Sequence, residues 1–307
     1  MSRIGERGEM EALVRAVELG SFSAAARELK LTPSALSKLV TRLEATLNVR
    51  LINRTTRHIH ATPEGELFVA RCRKILAEME DAETEVGLSR ASPRGRLRMH
   101  IGVGFCTHQL LPLLPHFFRR YPDVRLDLIV EDRPVDIVRE NIDITVQPWT
   151  SANAHAALLA RPLFTFDRFT CASPAYVKRN GMPTAPEELS QHPCIGVSTA
   201  PDNLRWQFKT AAGPRTIQIV PAHTVNNVDI VYRLALAGQG IARLSEYIVA
   251  NALGDGRLVK VLGKFQYPDQ FVMRAMYPHE RYRLPRVAAT LDFLTDSFAN
   301  RPWKNSK

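Results

Sequence analysis

Cysteine is scarce in this chain of 307 residues, and its four copies, Cys72, Cys106, Cys171 and Cys194, include no C-x-x-C pair and no histidine at ligand spacing. A disulfide framework and a zinc knuckle are not indicated, so buried reduced thiols are expected and no metal site is read. No apolar run reaches the roughly 18 residues of a membrane span, and Arg3, Glu6, Arg7 and Glu9 interrupt any early hydrophobic segment. No signal peptide and a cytoplasmic address are the expectations. Also missing are the G-x-S-x-G elbow, H-E-x-x-H and the P-loop. Gly102-Val103-Gly104 superficially resembles a dinucleotide-binding turn, with Asp127 or Glu131 on the next strand. Thr107 stands in place of the third glycine, however, and Pro112 and Pro115 disturb the helix that would hold a pyrophosphate. No enzyme activity and no cofactor are expected. A redox switch at Cys106 lacks a resolving partner, which leaves an inert thiol as the better reading. The last deficit is acidic: 31 Asp and Glu face 41 Lys and Arg, a formal net charge of +10 that favours polyanionic partners.

That positive charge is concentrated. Between Phe22 and Thr62 there are seven Lys or Arg against two Asp or Glu, a local excess of +5. Within this stretch Phe22, Ala25, Ala26 and Leu29 recur at helical spacing, Ser21 is placed to cap, and the helix is expected to end near Lys30. Thr32 then reads as a second N-cap with Pro33 as the first helical residue. Leu36, Leu39, Val40, Leu43 and Leu47 give that second helix a buried face, while Ser34, Ser37, Lys38, Thr41 and Arg42 give it a face of hydroxyls and cations. Two short helices joined by a tight turn, with small alanines where they cross, match the helix-turn-helix that enters a major groove. Met10, Leu13, Val14 and Val17 supply a first helix ending near Gly20.

A helical bundle with a merely solvated polar face would share this periodicity. The next segment argues against it. Leu51 and Ile52 lead into Arg54, Thr55, Thr56 and Arg57, and Ile59 follows between His58 and His60, a pattern that predicts a β-ribbon wing with a basic tip. The DNA-contact candidates are Ser23, Thr32, Pro33, Ser34, Ser37, Lys38, Thr41 and Arg42, with Arg54 and Arg57 assigned to phosphate or minor-groove contact.

Thr62 and Pro63 open a long helix in which Phe68, Cys72, Ile75, Met79, Ala82 and Val86 alternate steps of four and three, the period of a coiled-coil seam. Packing within its own domain is one reading; a dimerising linker is the other, because the flanking surface is charged and two-fold symmetry suits paired half-sites. SRASPRG, residues 89–95, reads as a hinge. From Leu97 the pattern changes to strands alternating with helices. Leu97, Met99, Ile101 and Val103 mark one strand, Leu110 to Tyr121 a helix, Leu126 to Val130 a strand, Val135 to Glu140 a short helix and Ile142 to Val146 a strand. The theme restarts at Arg168 and closes with a strand at Phe271 to Tyr277 and a helix at Pro285 to Phe298. A mainly parallel sheet covered by helices follows from this βαβ order, and 45% hydrophobic residues over 307 positions suffice for two or three domains.

The residues quoted so far also resemble a family. The run GSFSAAARELKLTPSALSKLVTRLEATLNVRLINRTTRHIHATPEG is similar, nearly residue for residue, to the N-terminal domain of LysR-type transcriptional regulators. RPLFTFDRFTCASPAYVKRNGMPTAPEELSQHPCI resembles their effector-binding domain, so the likeness covers the whole chain. It implies an α+β multidomain protein: a mainly α winged helix-turn-helix over residues 1–62, a dimerising linker helix and hinge over 63–92, and a two-lobed α/β domain like a periplasmic binding protein over 93–307. Lobe I would cover about 93–164 and 268–307, and lobe II about 165–267. Double-stranded operator DNA, a small-molecule effector, a second copy of the chain, a tetramer and RNA polymerase are the implied partners. Gly104, Phe105, Thr107 and His108 after one strand, and Ser198, Thr199, Asn226 and Asn227 in corresponding places, are the effector candidates. Helix-start N–H groups there would favour an anionic metabolite held between the lobes. An architectural DNA binder, which would need no such cleft, is the alternative.

Overall fold

A computed structural model describes residues 7–54, 59–86, 92–148, 158–199 and 201–304. It divides into two compact units, one dominated by the residues up to Ala91 and the other by those from Ser92 onward.

The first unit opens with α1 (Arg7–Leu19), α2 (Phe22–Glu28) and α3 (Pro33–Leu47). Gly20, at φ +60°, ends α1 in a backbone region that glycine reaches without strain. Ser21 Oγ accepts the Ala24 N–H at 3.3 Å and starts α2. That helix stops two residues before the expected Lys30, because Leu29 caps it and Lys30 itself takes φ +55°. Ala25 and Ala26 are buried at the helix crossing, where larger side chains would hold the backbones apart. Leu36, Val40 and Leu43 join Leu13 and Ala16 in one core, and Leu39 and Leu47 pack at its margin.

The wing forms as β1 (Ile52–Arg54) paired antiparallel with β2 (Ile59–Ala61). Its expected tip, 55–58, lies outside the described residues. Thr62 then caps α4 (Pro63–Val86), its Oγ1 accepting the Gly65 N–H at 2.9 Å and donating to the Arg50 carbonyl at 2.8 Å. Those 24 residues make a rod of about 36 Å. The expected seam divides along it. Phe68, Cys72 and Ile75 pack with the winged core, while Met79 and Ala82 are exposed.

The second unit contains two five-stranded sheets. Its strands are β3 (Gly95–Ile101), β4 (Val124–Val130), β5 (Ile144–Pro148), β6 (Leu158–Phe166), β7 (Arg168–Ala172), β8 (Cys194–Val197), β9 (Arg205–Thr210), β10 (Gly213–Gln218), β11 (His223–Val225), β12 (Ile241–Ser245), β13 (Val259–Lys260) and β14 (Phe271–Pro278). The first sheet has the order β4-β3-β5-β14-β6, the second β11-β8-β12-β7-β13. The expectation of mainly parallel sheets is corrected here. Only β4-β3-β5 and β11-β8-β12 run parallel; the other pairings in each sheet are antiparallel. The chain crosses from one sheet to the other at β6 to β7 and returns before β14, so the returning strands meet their neighbours head to tail. A hairpin of β9 and β10 lies outside both sheets and was not anticipated.

The helices here are α5 (Val103–Phe105), α6 (Leu114–Arg120), α7 (Pro174–Asn180), α8 (Val228–Leu236), α9 (Glu246–Gly254) and α10 (Pro285–Phe298). Val103, expected in a strand, opens α5 instead. The helix expected from Leu110 is one run from Val103 to Arg120 that passes through a π turn at Cys106–Leu110 and a 3-10 turn at Leu111–Leu113. Pro112 and Pro115 lack the N–H groups that a regular ladder needs there. Val135 to Glu140 forms turns and not a helix, since Asp136 Oδ1 takes the Val138 N–H at 3.1 Å before a helical ladder can start.

One hydrophobic core joins the two sheets. Phe105 sits at its centre, with ring centroids 4.9 Å from Phe298, 5.4 Å from Phe164 and 5.5 Å from Tyr247.

Candidate DNA interface and effector site

Helix α3 is held by its N-cap. Thr32 Oγ1 accepts the Ala35 N–H at 3.2 Å and lies 3.1 Å from Ser34 Oγ, and Pro33 occupies the first helical position. Because Leu36, Val40 and Leu43 are drawn into the core, the helical period leaves Pro33, Ser34, Lys38, Thr41 and Arg42 exposed, with Ser37 half-buried between them. Ser23 is exposed on α2. Arg42 is also a structural residue: its Nε pairs with the buried carboxylate of Glu9 on α1, although 58% of its side chain remains exposed. Arg54 ends β1, and its side chain, like all of Arg57, lies outside the described residues.

Sequence reasoning missed the groups that aim the wing. Glu44 Oε1 accepts the Leu51 and Ile52 N–H groups at 2.8 and 3.1 Å, tying α3 to the start of β1. Gly65 lets α4 approach that same strand so closely that a Cβ there would fall 1.9 Å from the Leu51 carbonyl oxygen. Arg73 Nε meets Glu18 Oε1 at 3.0 Å, fixing α4 to α1. A lone Glu or Arg in a helical pattern reads as a solvated face, which is why these anchors were not legible.

In the second unit the two strand-to-helix edges do face each other, but the space between them is filled. Asp132 Oδ1 accepts the Val103 N–H at 2.9 Å and Asp132 Oδ2 accepts the Val228 N–H at 3.0 Å. His108 Nε2 lies 2.9 Å from Asp229 Oδ1, and Gln109 Nε2 donates to the Tyr247 carbonyl at 2.7 Å. Gly104 is pressed against α8 and α9, where a Cβ would come within 2.5 Å of Ile248 Cδ1 and 2.8 Å of Val228 Cγ1. Gly104 and Phe105, expected to contact a ligand, are therefore packing residues, and Phe105 is only 2% exposed. Thr107 is half-buried. Asn227 is the N-cap of α8, its Oδ1 accepting from Asp229 N–H at 2.9 Å and Ile230 N–H at 3.4 Å. Ser198 and Asn226 remain exposed beside each other, joined through the Ser198 N–H to the Val225 carbonyl at 2.8 Å. The Thr199 hydroxyl is buried with no hydrogen-bond partner among the described residues.

The electrostatics follow the packing. Burial works against the charge of Asp229, yet hydrogen bonds from Arg233 and His108 outweigh it and hold this carboxyl below its ordinary range. Burial pushes the Tyr247 phenol up to about 12, an effect that Ser245 partly offsets and the nearby charge of Asp132 reinforces. Cys106 is buried and its thiol is pushed up to about 11, which leaves almost no thiolate for redox chemistry near neutral pH.

The comparisons with known proteins agree along the full length. Residues 8–66 match the model for the bacterial regulatory helix-turn-helix protein, lysR family, and residues 90–299 match the LysR substrate binding domain. The chain belongs to the LysR family. It is a DNA-binding transcriptional regulator with an effector-binding domain, not an enzyme. It is 35% identical to the HTH-type transcriptional regulator CrgA of Neisseria meningitidis serogroup C over 293 residues, covering 95% of this chain and 97% of that protein. It is 33% identical to the regulator DmlR of Escherichia coli K12 over 279 residues, covering 91% and 90%. The solved structure of Neisseria meningitidis CrgA matches with a TM-score of 0.64 at 33% identity, covering 95% of this chain and 98% of that one. Full-length AphB from Vibrio cholerae shares the fold with a TM-score of 0.63 at 22% identity, covering 95% and 99%. Helices α2 and α3 lie within the helix-turn-helix match, and the two-sheet unit is the part matched by the substrate binding domain. No helix among the described residues is long and apolar enough to cross a membrane, and no group of three or more His, Cys, Asp or Glu among them could hold a metal.

Proposed function

We propose that this regulator binds two-fold-related operator DNA through paired α3 helices, under control of a small molecule held by the two-sheet unit. The observation that carries this reading is the exposed row Ser34, Lys38 and Thr41, with half-buried Ser37 between them, on a helix whose opposite face is locked into a core. Hydroxyls and a lysine at these positions suit base edges and phosphates alike, while Arg54 and Arg57 of the wing suit phosphate or the minor groove. Arg42, paired with Glu9, keeps 58% of its side chain exposed on the same helix. The exposed Met79 and Ala82 support pairing of two α4 helices, and tetramers through the effector domains complete an assembly that spans extended operators and recruits RNA polymerase in the cytoplasm. Thr107, Ser198, Thr199 and Asn226 are the candidates for direct effector contact, since packing already engages Gly104, Phe105, His108 and Asn227. Ligand acts only through its differential affinity for two arrangements of the assembly.

The test is selection of genomic fragments by the purified protein, followed by footprinting of the best site. Protection over two-fold-related half-sites, weakened by Ser37→Ala with Lys38→Ala, supports the reading; binding without preferred sites would instead indicate an architectural protein.

A further inference from the structure

Asp132 lies in the loop after β4, and its two oxygens serve different halves of the domain. Oδ1 takes the N–H of Val103, where the helical run of the first sheet's half begins. Oδ2 takes the N–H of Val228, the first residue of α8 in the second sheet's half. Gly102 permits the approach, since a Cβ there would stand 3.3 Å from Oδ1. One carboxylate of the chain itself thus satisfies two helix-start amides that would otherwise have no intrahelical partner. The His108–Asp229 and Gln109–Tyr247 contacts close the same seam beside it. Asp132 and Val103 belong to the same half, so separating the halves would strand the Val228 amide and leave that of Val103 in place.

We infer that Asp132 sets the ligand response of this domain: its carboxylate latches the two halves together where an anionic effector would sit, so an anion acts there only by displacing it. A neutral effector leaves the latch in place, whereas a carboxylate effector opens it by competition. The inference rests on reading this unit as effector-binding.

The test uses the full-length protein and formate as the probe, with chloride at matched ionic strength as control. Asp132→Ala is expected to lower Tm by about 4 °C and to speed amide hydrogen exchange at Val103 and Val228 by about tenfold. Formate, but not chloride, is expected to restore part of both in the variant, while in the wild type formate at high concentration competes with Asp132 and is expected to speed exchange at Val228. Unchanged exchange at either amide, or equal effects of formate and chloride on the variant, would overturn the inference. Should Asp132→Ala not fold, Asp132→Asn decides, because it fills the same space. The Asn oxygen can still accept one of the two N–H groups, so faster exchange at one or both amides with no response to formate supports the latch, and unchanged exchange at both overturns it. These readouts involve no DNA, so failure of operator binding would count against the regulator reading alone.

Discussion

Asp229 shows how a single side chain reports on the packing of the effector domain. Its carboxyl is held below the ordinary value of 3.8 by Arg233 and His108 despite burial, so its contribution to stability is present above that value and is lost as pH falls through the lower folded one. Asp229→Asn is expected to cost about 1 kcal/mol near neutral pH and to flatten the acid limb of a stability curve below about pH 4. An acid limb identical to the wild type would contradict this. The four cysteines are all free and buried, with thiols pushed up to about 11 at Cys72 and Cys106 and about 12 at Cys171 and Cys194 by desolvation. A thiol reagent at pH 8 is expected to label none of them in the folded protein and all of them in denaturant. Packing also decides at Gly65: Gly65→Ala would drive a methyl into the Leu51 carbonyl and cost about 2 kcal/mol or more, read as a lower midpoint in urea.

At the scale of elements, the parts most legible in the sequence were those with a local signal. Ser21 and Thr32 cap the helices they were expected to cap, and the apolar period of α3 predicted its buried face. Val135 to Glu140 misled because apolar spacing over six residues does not outweigh an Asp136 side chain that bonds the backbone locally. The β9–β10 hairpin carried a usable signal, Trp206 and Phe208 buried between exposed Arg205, Gln207 and Lys209, but too short a one to separate from a loop. Antiparallel β14 and the Asp132 latch depend on which strands and loops meet after crossovers of some hundred residues, and no local period encodes that. The α4 helix carried two readings at once: Cys72 packs within its own domain, as the first expects, while Met79 is exposed and pairing through it stays a proposal. Met79→Glu with Ala82→Glu is expected to weaken self-association in sedimentation while leaving the circular dichroism of the chain unchanged.

For the whole molecule, half of the excess of +10 falls between Phe22 and Thr62, in the module that carries α3, and operator binding is expected to fall steeply with salt. Lys38→Ala should reduce the slope of log affinity against log salt by about one per protomer if this lysine meets phosphate, and should relax base preference if it meets a base edge. Control of that binding by a ligand needs the two-sheet unit to have two arrangements, and the seam formed by Asp132, His108 and Gln109 is where they would differ. The most direct measurement is a footprint of the purified protein on its best genomic fragment, taken with Ser37→Ala, Lys38→Ala alongside. Two-fold-related protection that the variant weakens is the predicted result. Equal, unpatterned protection by both proteins would contradict the account.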